Sequence, residues 1–396
     1  MHHKFHIVPR GVLLLTGMLF SGLIYGQQIK VGIFNSFKIN HLSVSVASGA
    51  FVVSVQNHDT LVLKPGQQFY VGETGGTLEF GLVGNHGFQG DSLLLVPALP
   101  GSVIKVQAKG NATTEYWYEG QIDILSAGES IKMVNTIDLE GYIAGVVEAE
   151  TGGQQTKEFY KVQACITRTF ALANLKKHLH EGFNLCDQVH CQVYKGRSKS
   201  NPAIPQAVAE TEGVVVVDRN LQLVDAVFHS NCGGQTHNSE DYWVDTIAYL
   251  RSVKDPYCSE GLQYNWQQKL AKEKWLRYLY GNYNYPVDSL EMAVQACNYV
   301  PSERSEYFLD KEYKIGLRRI RSDWNFRSTF FEVHDEGEQV LIKGRGFGHG
   351  VGLCQEGAMK MAKTGISYVD ILHFYFQNVF IVPKKQLLFL RSFLVN

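Results

Sequence analysis

Tyr142-Ile-Ala-Gly-Val-Val-Glu-Ala-Glu150 carries two carboxylates two positions apart, and its apolar residues recur at helical spacing. At about 100° per residue, Leu139, Ile143, Val146 and Glu150 fall within roughly 60° of one another, with Tyr142 and Val147 at the edges. Glu150 therefore lies on the apolar stripe of a helix, whereas Glu148 comes out roughly opposite and is expected to face water. The helix should stop near Gly152 and Gly153, where a left-handed residue is available. Two readings of Glu150 fit: a helix-end carboxylate that snorkels to solvent, or a carboxyl held against apolar surface whose pKa rises until it can act as a general acid. A second helix is expected from 157 to about 177, with Phe159, Val162, Ile166, Phe170 and Leu175 in step. Arg168 lies inside that run, placed either to pack or to pair with a carboxylate.

Strand patterns flank these two helices. From residue 30 to about 131, LSVSVAS, FVVSVQN, DTLVLKPG, LLLVPAL, SVIKVQAKG and EYWYEGQIDILS alternate apolar and polar residues between Gly, Asn and Asp turns. No titratable cluster stands out there, so a scaffold or binding module is expected. Asn111 opens N-A-T, a glycosylation acceptor by letter alone. After residue 213, VVVVD and LQLVDAVFHSNCGGQT are strand-like, and RSTFFEVHDEGEQVLIKG reads as a hairpin turning at 335–337. Ser367 and Asp370, flanked by Ile366 and Ile371, read as a capping box and staple opening a last helix. Trp266 and Trp275 are expected in a core, although a sugar-stacking surface would use the same residues. The fold class is therefore α+β, a β-rich N-terminal region followed by a mixed α/β domain.

With 37 basic and 38 acidic residues, and a net charge of -1, nothing points to nucleic acid as a partner. The first ten residues carry Lys4 and Arg10 and no acid, and the 16-residue apolar run GVLLLTGMLFSGLIYG follows. This reads as a signal peptide over 1–26, with an uncleaved membrane anchor as the alternative. Export to the periplasm or cell envelope is expected.

In such a compartment seven cysteines suggest disulfides with one left over. Yet His180, Cys186, His190 and Cys191 lie within twelve positions, a complete tetrahedral set for Zn²⁺. A Cys186–Cys191 disulfide fits the same letters. Cys232, on the polar turn that holds His229, Ser230 and Asn231, and Cys258 are candidates for a second disulfide. Adjacent residues on a strand point to opposite faces, so His229 and Ser230 do not form a nucleophile pair between themselves. In GRGFGHGVG five glycines alternate from Gly344 to Gly352, permitting close approach of backbone to a neighbour, without the spacing of a dinucleotide or phosphate loop. His349 in that loop is open to a structural or a functional role.

Six blocks, YIAGVVEAE, ACITRTFALAN, FNLCDQVHCQVYKG, FHSNCGGQT, FRSTFF and GRGFGHGVGLCQEGAMKMAKTGISYVDILHFYF, occur in an order that resembles the SpoIID/LytB family of cell-wall proteins. The resemblance covers most of residues 130–385 and divides the chain into a signal peptide (1–26), a β-rich region (27–128) and a SpoIID-like catalytic domain (129–396). It implies a peptidoglycan lytic transglycosylase that cleaves the β-1,4 bond between the two amino sugars and leaves anhydro ends. The alternative it carries is a non-catalytic wall-binding or amidase-enhancing protein. Matching residue by residue, the family's catalytic glutamate falls on Glu150 and not on Glu148. His180, Cys186, His190 and Cys191 fall where metal-binding members hold zinc, here with a structural role because four protein ligands leave no open position. His229, Ser230, Arg345, His349 and Gln355 are expected to orient sugar. Peptidoglycan strands are the implied partner, with other cell-wall hydrolases beside them. The chain departs from the family pattern at Thr151-Gly152, where Met-Pro is common, and at Cys354, where Ser is frequent.

Overall fold

The computed structural model describes residues 26–387 and 389, apart from 37, 56–59, 85, 86, 110–112 and 310. The expected signal peptide up to residue 25, and Asn111, lie outside the described residues. Strands and helices are both abundant and the strands form several separate sheets, an α+β fold. Among the described residues no helix is long and apolar enough to cross a membrane. The chain forms two compact units: residues 1–154 with 171–212, and residues 155–170 with 213–396.

Two sheets build most of the first unit. One has seven strands, in the order Leu185–Cys186, Gln28–Ile33, Ile131–Asp138, Gln121–Ser126, Ser92–Pro97, Phe51–Val55 and Leu61–Leu63. Gln28–Ile33 pairs antiparallel with Ile131–Asp138 and parallel with Leu185–Cys186. The other has six strands, with His41–Ser48 between Val103–Lys109 and Gln68–Thr74. Alternation decides which face is covered: Leu42, Val44 and Val46 are buried while Ser43 and Ser45 are half-exposed.

Helix α1, Leu139–Thr151, leaves the end of Ile131–Asp138 directly. Asp138 caps it, its carboxylate accepting from the N–H groups of Glu140 (3.1 Å) and Gly141 (3.2 Å). It ends at Gly152, whose φ of 69° a side chain would resist. Leu139, Tyr142, Ile143, Ala144, Gly145, Val146 and Val147 are all buried, so the apolar stripe is broader than a two-sided helix needs. Helix α2, Lys157–Ala173, begins in the second unit and ends in the first.

In the second unit Phe159, Val162 and Ile166 of α2 pack with Val216, Val224, Leu353, Leu372 and Tyr375 in one core. Arg168 is fully buried and its Nη1 donates to the Val214 carbonyl at 3.0 Å. The hairpin forms as its sequence predicts: Phe331–Asp335 pairs antiparallel with Gln339–Arg345, which also pairs with Asn265–Ala271. Around this sheet a second core gathers Trp275, Leu279, Phe308, Val333 and Ile342, and Trp275 donates its Nε1–H to the Ala296 carbonyl at 2.9 Å. The alternate glycines of 344–352 meet the protein's own groups. A Cβ on Gly348 would lie 2.7 Å from the His229 side chain, and one on Gly350 would lie 2.8 Å from the Arg304 guanidinium. Two further helices follow, α3 at Gln355–Lys363 and α4 at Tyr368–Tyr375. Ser367 caps α4 by accepting from the Asp370 N–H.

Candidate functional site

Glu150 stands on the last turn of α1, half-buried. Its Oε1 accepts a hydrogen bond from the backbone N–H of Val193 at 2.9 Å. Burial raises its pKa, while the Val193 N–H and the Lys195 ammonium act in the opposite direction without cancelling the rise. Thr151 does not reach toward this carboxyl: its hydroxyl donates back to the Val147 carbonyl at 2.7 Å, closing the helix end on itself.

Glu148 corrects the expectation of a solvated carboxylate. Its Oε2 accepts from the Ser198 hydroxyl (2.7 Å) and from the N–H groups of Lys199 (2.9 Å) and Ser200 (3.0 Å). These hydrogen bonds favour the charged form, and its pKa falls although burial acts the other way. The two carboxylates of one helical turn are therefore set apart, Glu148 as an ionised anchor and Glu150 as a carboxyl biased toward its proton.

Both receive their partners from the segment 191–200. It lies tight against α1: a Cβ on Gly145 would sit 2.2 Å from the Gly196 carbonyl oxygen and 2.7 Å from the Tyr194 ring, so no side chain fits there. The rings of Tyr142 and Tyr194 lie 5.1 Å apart, and Tyr142 donates to Gln192 Oε1 at 3.2 Å. Tyr194 in turn donates to Asn135 Oδ1 at 2.9 Å.

At the start of this segment the side chains of His178, Cys186, His190 and Cys191 converge, with one ligand atom from each within 4.8 Å of all the others. His178 Nε2 lies 3.4 Å from Cys191 Sγ, and His190 Nδ1 lies 3.8 and 3.9 Å from the two sulfurs. His180 is not among them. Its side chain is 77% exposed and lies 3.6 Å from the Glu181 carboxylate, with its ring 6.4 Å from that of His178. Residues 179–181 form a 3₁₀ turn, in which i and i+3 eclipse and i and i+2 diverge. That geometry sets Glu181 beside His178, with its Oε1 2.5 Å from Nδ1, and swings His180 away. A carboxylate on Nδ1 fixes the imidazole with Nε2 free to face the sulfurs, the usual support of a metal-ligating histidine. Two thiols and two imidazoles arranged in this way fit Zn²⁺ in a closed, tetrahedral site.

Among the expected sugar-orienting residues, all of them in the second unit, the structure brings His229, His349 and Gln355 together. Phe228–His229 pairs in parallel with Leu353–Cys354, immediately before Gln355, and the two imidazoles lie 5.2 Å apart. His349 Nδ1 accepts the Val351 N–H (3.1 Å) and its Nε2–H donates to the Phe228 carbonyl (2.9 Å), so both nitrogens are engaged within the protein. Burial brings its pKa down to about 4. His229 is buried and held neutral for the same reason. Its Nδ1 faces the Val351 carbonyl at 3.1 Å, and its buried Nε2 has no hydrogen-bond partner among the described residues. The Gln355 amide reaches Gln163 of α2 at 3.5 Å. Ser230 is half-buried, and its carbonyl accepts from the Glu356 N–H. Arg345 is placed differently, with its guanidinium 4.0 Å above the Phe330 ring.

The sequence profile of the SpoIID family, described as stage II sporulation protein, matches residues 127–217, the span that holds Glu150 and the His/Cys cluster. The chain is 32% identical over 270 residues to the stage II sporulation protein D of Bacillus amyloliquefaciens, covering 62% of this chain and 74% of that one. It is 30% identical over 260 residues to the protein of the same name in Bacillus subtilis (strain 168), again covering 62% and 74%. A match to the amidase enhancer of Bacillus subtilis (strain 168) runs over 287 residues at 25% identity, covering 59% of this chain and 39% of that one.

Proposed function

This chain belongs to the SpoIID/LytB family of cell-wall proteins, and from that premise we propose that it is a peptidoglycan lytic transglycosylase with Glu150 as both general acid and general base. The observation that carries the reading is the carboxyl itself: half-buried, biased toward its proton by burial, and given a backbone donor by Val193. Protonated Glu150 gives its proton to the glycosidic oxygen as the bond to C1 of the muramyl sugar breaks. The carboxylate then takes the proton of that sugar's C6 hydroxyl while O6 bonds to C1, closing the anhydro ring. No water is consumed, and one carboxyl serves both transfers. Hydrolases that admit water or form a covalent adduct use two carboxylates. Glu148, committed to the segment 198–200, does not act as a second one.

The Zn²⁺ held by His178, Cys186, His190 and Cys191 would supply structural chemistry alone, since the four protein groups complete a tetrahedron. Cys191 stands two residues before Val193, so fixing Cys191 fixes the N–H that Glu150 uses. For His229, Ser230, Arg345, His349 and Gln355 the proposed role is glycan contact. His229 keeps a neutral ring whose Nε2 has no partner among the described residues but is buried, so a sugar hydroxyl would reach it only if the surrounding loop moved, and the doubly engaged His349 offers no hydrogen bond.

Glu150→Gln keeps the shape and the acceptor oxygen but carries no transferable proton, so glycan cleavage should fall by roughly 10²-fold or more, the worth of positioned acid–base catalysis. The measurement is mass spectrometry of products from purified glycan strands, with and without peptide stems, read for anhydro ends. Undiminished anhydro products from the variant would remove Glu150 from its role. The match to an amidase enhancer favours a second reading, a non-catalytic wall-binding or amidase-enhancing protein. That reading wins if the unmodified protein yields no anhydro ends on either substrate yet still sediments with glycan.

A further inference from the structure

A second group of metal-type ligands lies in the other compact unit. The turn after Phe228–His229, the loop at 255–258 and the strand Leu353–Cys354 bring together Cys232, Asp255, Cys258 and Cys354, all four buried. One ligand atom from each lies within 4.8 Å of all the others. Cys232 Sγ is 3.5 Å from Cys258 Sγ and 3.2 Å from Asp255 Oδ2. A disulfide needs its sulfurs about 2.05 Å apart. The edge of a tetrahedron with Zn–S bonds of about 2.3 Å is roughly 3.8 Å. The observed spacing is that of ligands around an ion, and the Cys232–Cys258 pair expected as a disulfide stands in the structure as two thiols.

The surroundings are built for anionic sulfur. The Gly234 N–H points at Cys258 Sγ (3.3 Å) and the Cys232 N–H at Cys354 Sγ (3.2 Å). Asp255 is oriented by the Tyr375 hydroxyl on Oδ2 (2.9 Å) and the Tyr257 N–H on Oδ1 (2.9 Å). Helix α3 leaves room for that carboxylate only because it carries glycine there: a Cβ on Gly357 would fall 2.3 Å from Asp255 Oδ2. Arg304 is buried beside the group and directs its hydrogen bonds to neutral oxygens, the carbonyls of Cys232 and Gln235 and the Thr329 hydroxyl. A buried guanidinium needs negative charge nearby. Three thiolates and a carboxylate around a divalent ion leave a net charge of -2, which Arg304 partly offsets.

We propose that Cys232, Cys258, Cys354 and Asp255 bind a second Zn²⁺ in a closed site that fastens three separate segments of the second unit. The site stands on its own residues and is independent of the glycan-cleavage reading. Its test uses the full chain without its first 26 residues, purified without chelators or a metal-affinity column. Metal analysis should find two zinc per chain, and Cys186→Ser/Cys191→Ser, altered in the other unit, should keep one. Cys258→Ser should keep only the first. Under denaturing, non-reducing conditions with chelator, all seven cysteines should titrate as thiols. Zinc-edge X-ray absorption on the unmodified protein reads the same question without a variant, at about 2.5 sulfurs per zinc for both sites and about 2 for the first alone. Five titrating thiols with a Cys232–Cys258 disulfide would overturn the proposal. So would zinc that disappears entirely in Cys186→Ser/Cys191→Ser.

Discussion

Glu150 is held between opposing influences, and two consequences follow from their signs. Burial disfavours its carboxylate, whereas Lys195 and the Val193 N–H favour it. As an acid it must be protonated, so kcat/KM for glycan cleavage should decline as pH rises through its pKa, which lies above the ordinary 4.5. Removing the ammonium with Lys195→Met raises that pKa further, and the declining limb should move to higher pH in a pH–rate profile. A limb that stays in place would mean that another group sets it. The stability sign is separate. A carboxyl with a raised folded pKa stabilises the fold fully only below its unfolded pKa, and that contribution is lost as pH rises through the folded value. Glu150→Gln should therefore melt at the same temperature as the unmodified protein or higher near pH 7, while losing cleavage. A variant that melts lower would show that the carboxylate is needed for packing. Helical spacing alone separated Glu150 from Glu148. The hydrogen bonds of Glu148 were not legible, because Ser198, Lys199 and Ser200 reach it through a loop that has no periodicity.

At the scale of elements, α1 and the segment 191–200 form one working piece, with the His/Cys cluster at its entrance. The helix was readable because Leu139, Ile143 and Val146 keep a 3.6-residue period and Gly152 stops it. Of the four side chains that converge in the His/Cys cluster, Cys186, His190 and Cys191 were among those expected from the sequence. His178 and His180 are equivalent by letter, and only the 3₁₀ turn at Leu179–Glu181 tells them apart. A signal was present in Glu181, which stands three residues after His178 and one after His180, and which eclipses the former in such a turn. His178→Ala should lower the zinc content of the first unit and, by loosening the segment that carries Val193, reduce glycan cleavage by roughly tenfold or more, in the range seen when support of a metal site is lost. His180→Ala should leave metal content and cleavage unchanged. If the two variants exchange these effects, the 3₁₀ placement is wrong.

Across the whole molecule, sequence order and spatial grouping diverge. The strand Gln28–Ile33 sits between Ile131–Asp138, which feeds α1, and Leu185–Cys186, which supplies one side chain of the His/Cys cluster. Long-range pairing of this kind leaves no local trace, since each strand reads alike whichever neighbour it takes. The blocks that resemble the family begin near residue 130, which makes 129–396 look self-sufficient. In the structure that fragment would lack both neighbours of Ile131–Asp138, Gln28–Ile33 and Gln121–Ser126, and would also bare Leu185–Cys186, the strand that carries Cys186. Such an edge invites pairing between chains. Expression of 129–396 beside 27–396 should give a fragment that aggregates or melts at a lower temperature, with less zinc in the first cluster and weakened glycan cleavage. Fusing residues 27–36 to its N-terminus through a flexible linker should recover part of the metal content, because Gly32 and Val31 are the partners of Cys186 and Leu185. A fragment 129–396 that is monomeric, metal-replete and fully active would show that the strand at 28–33 is dispensable.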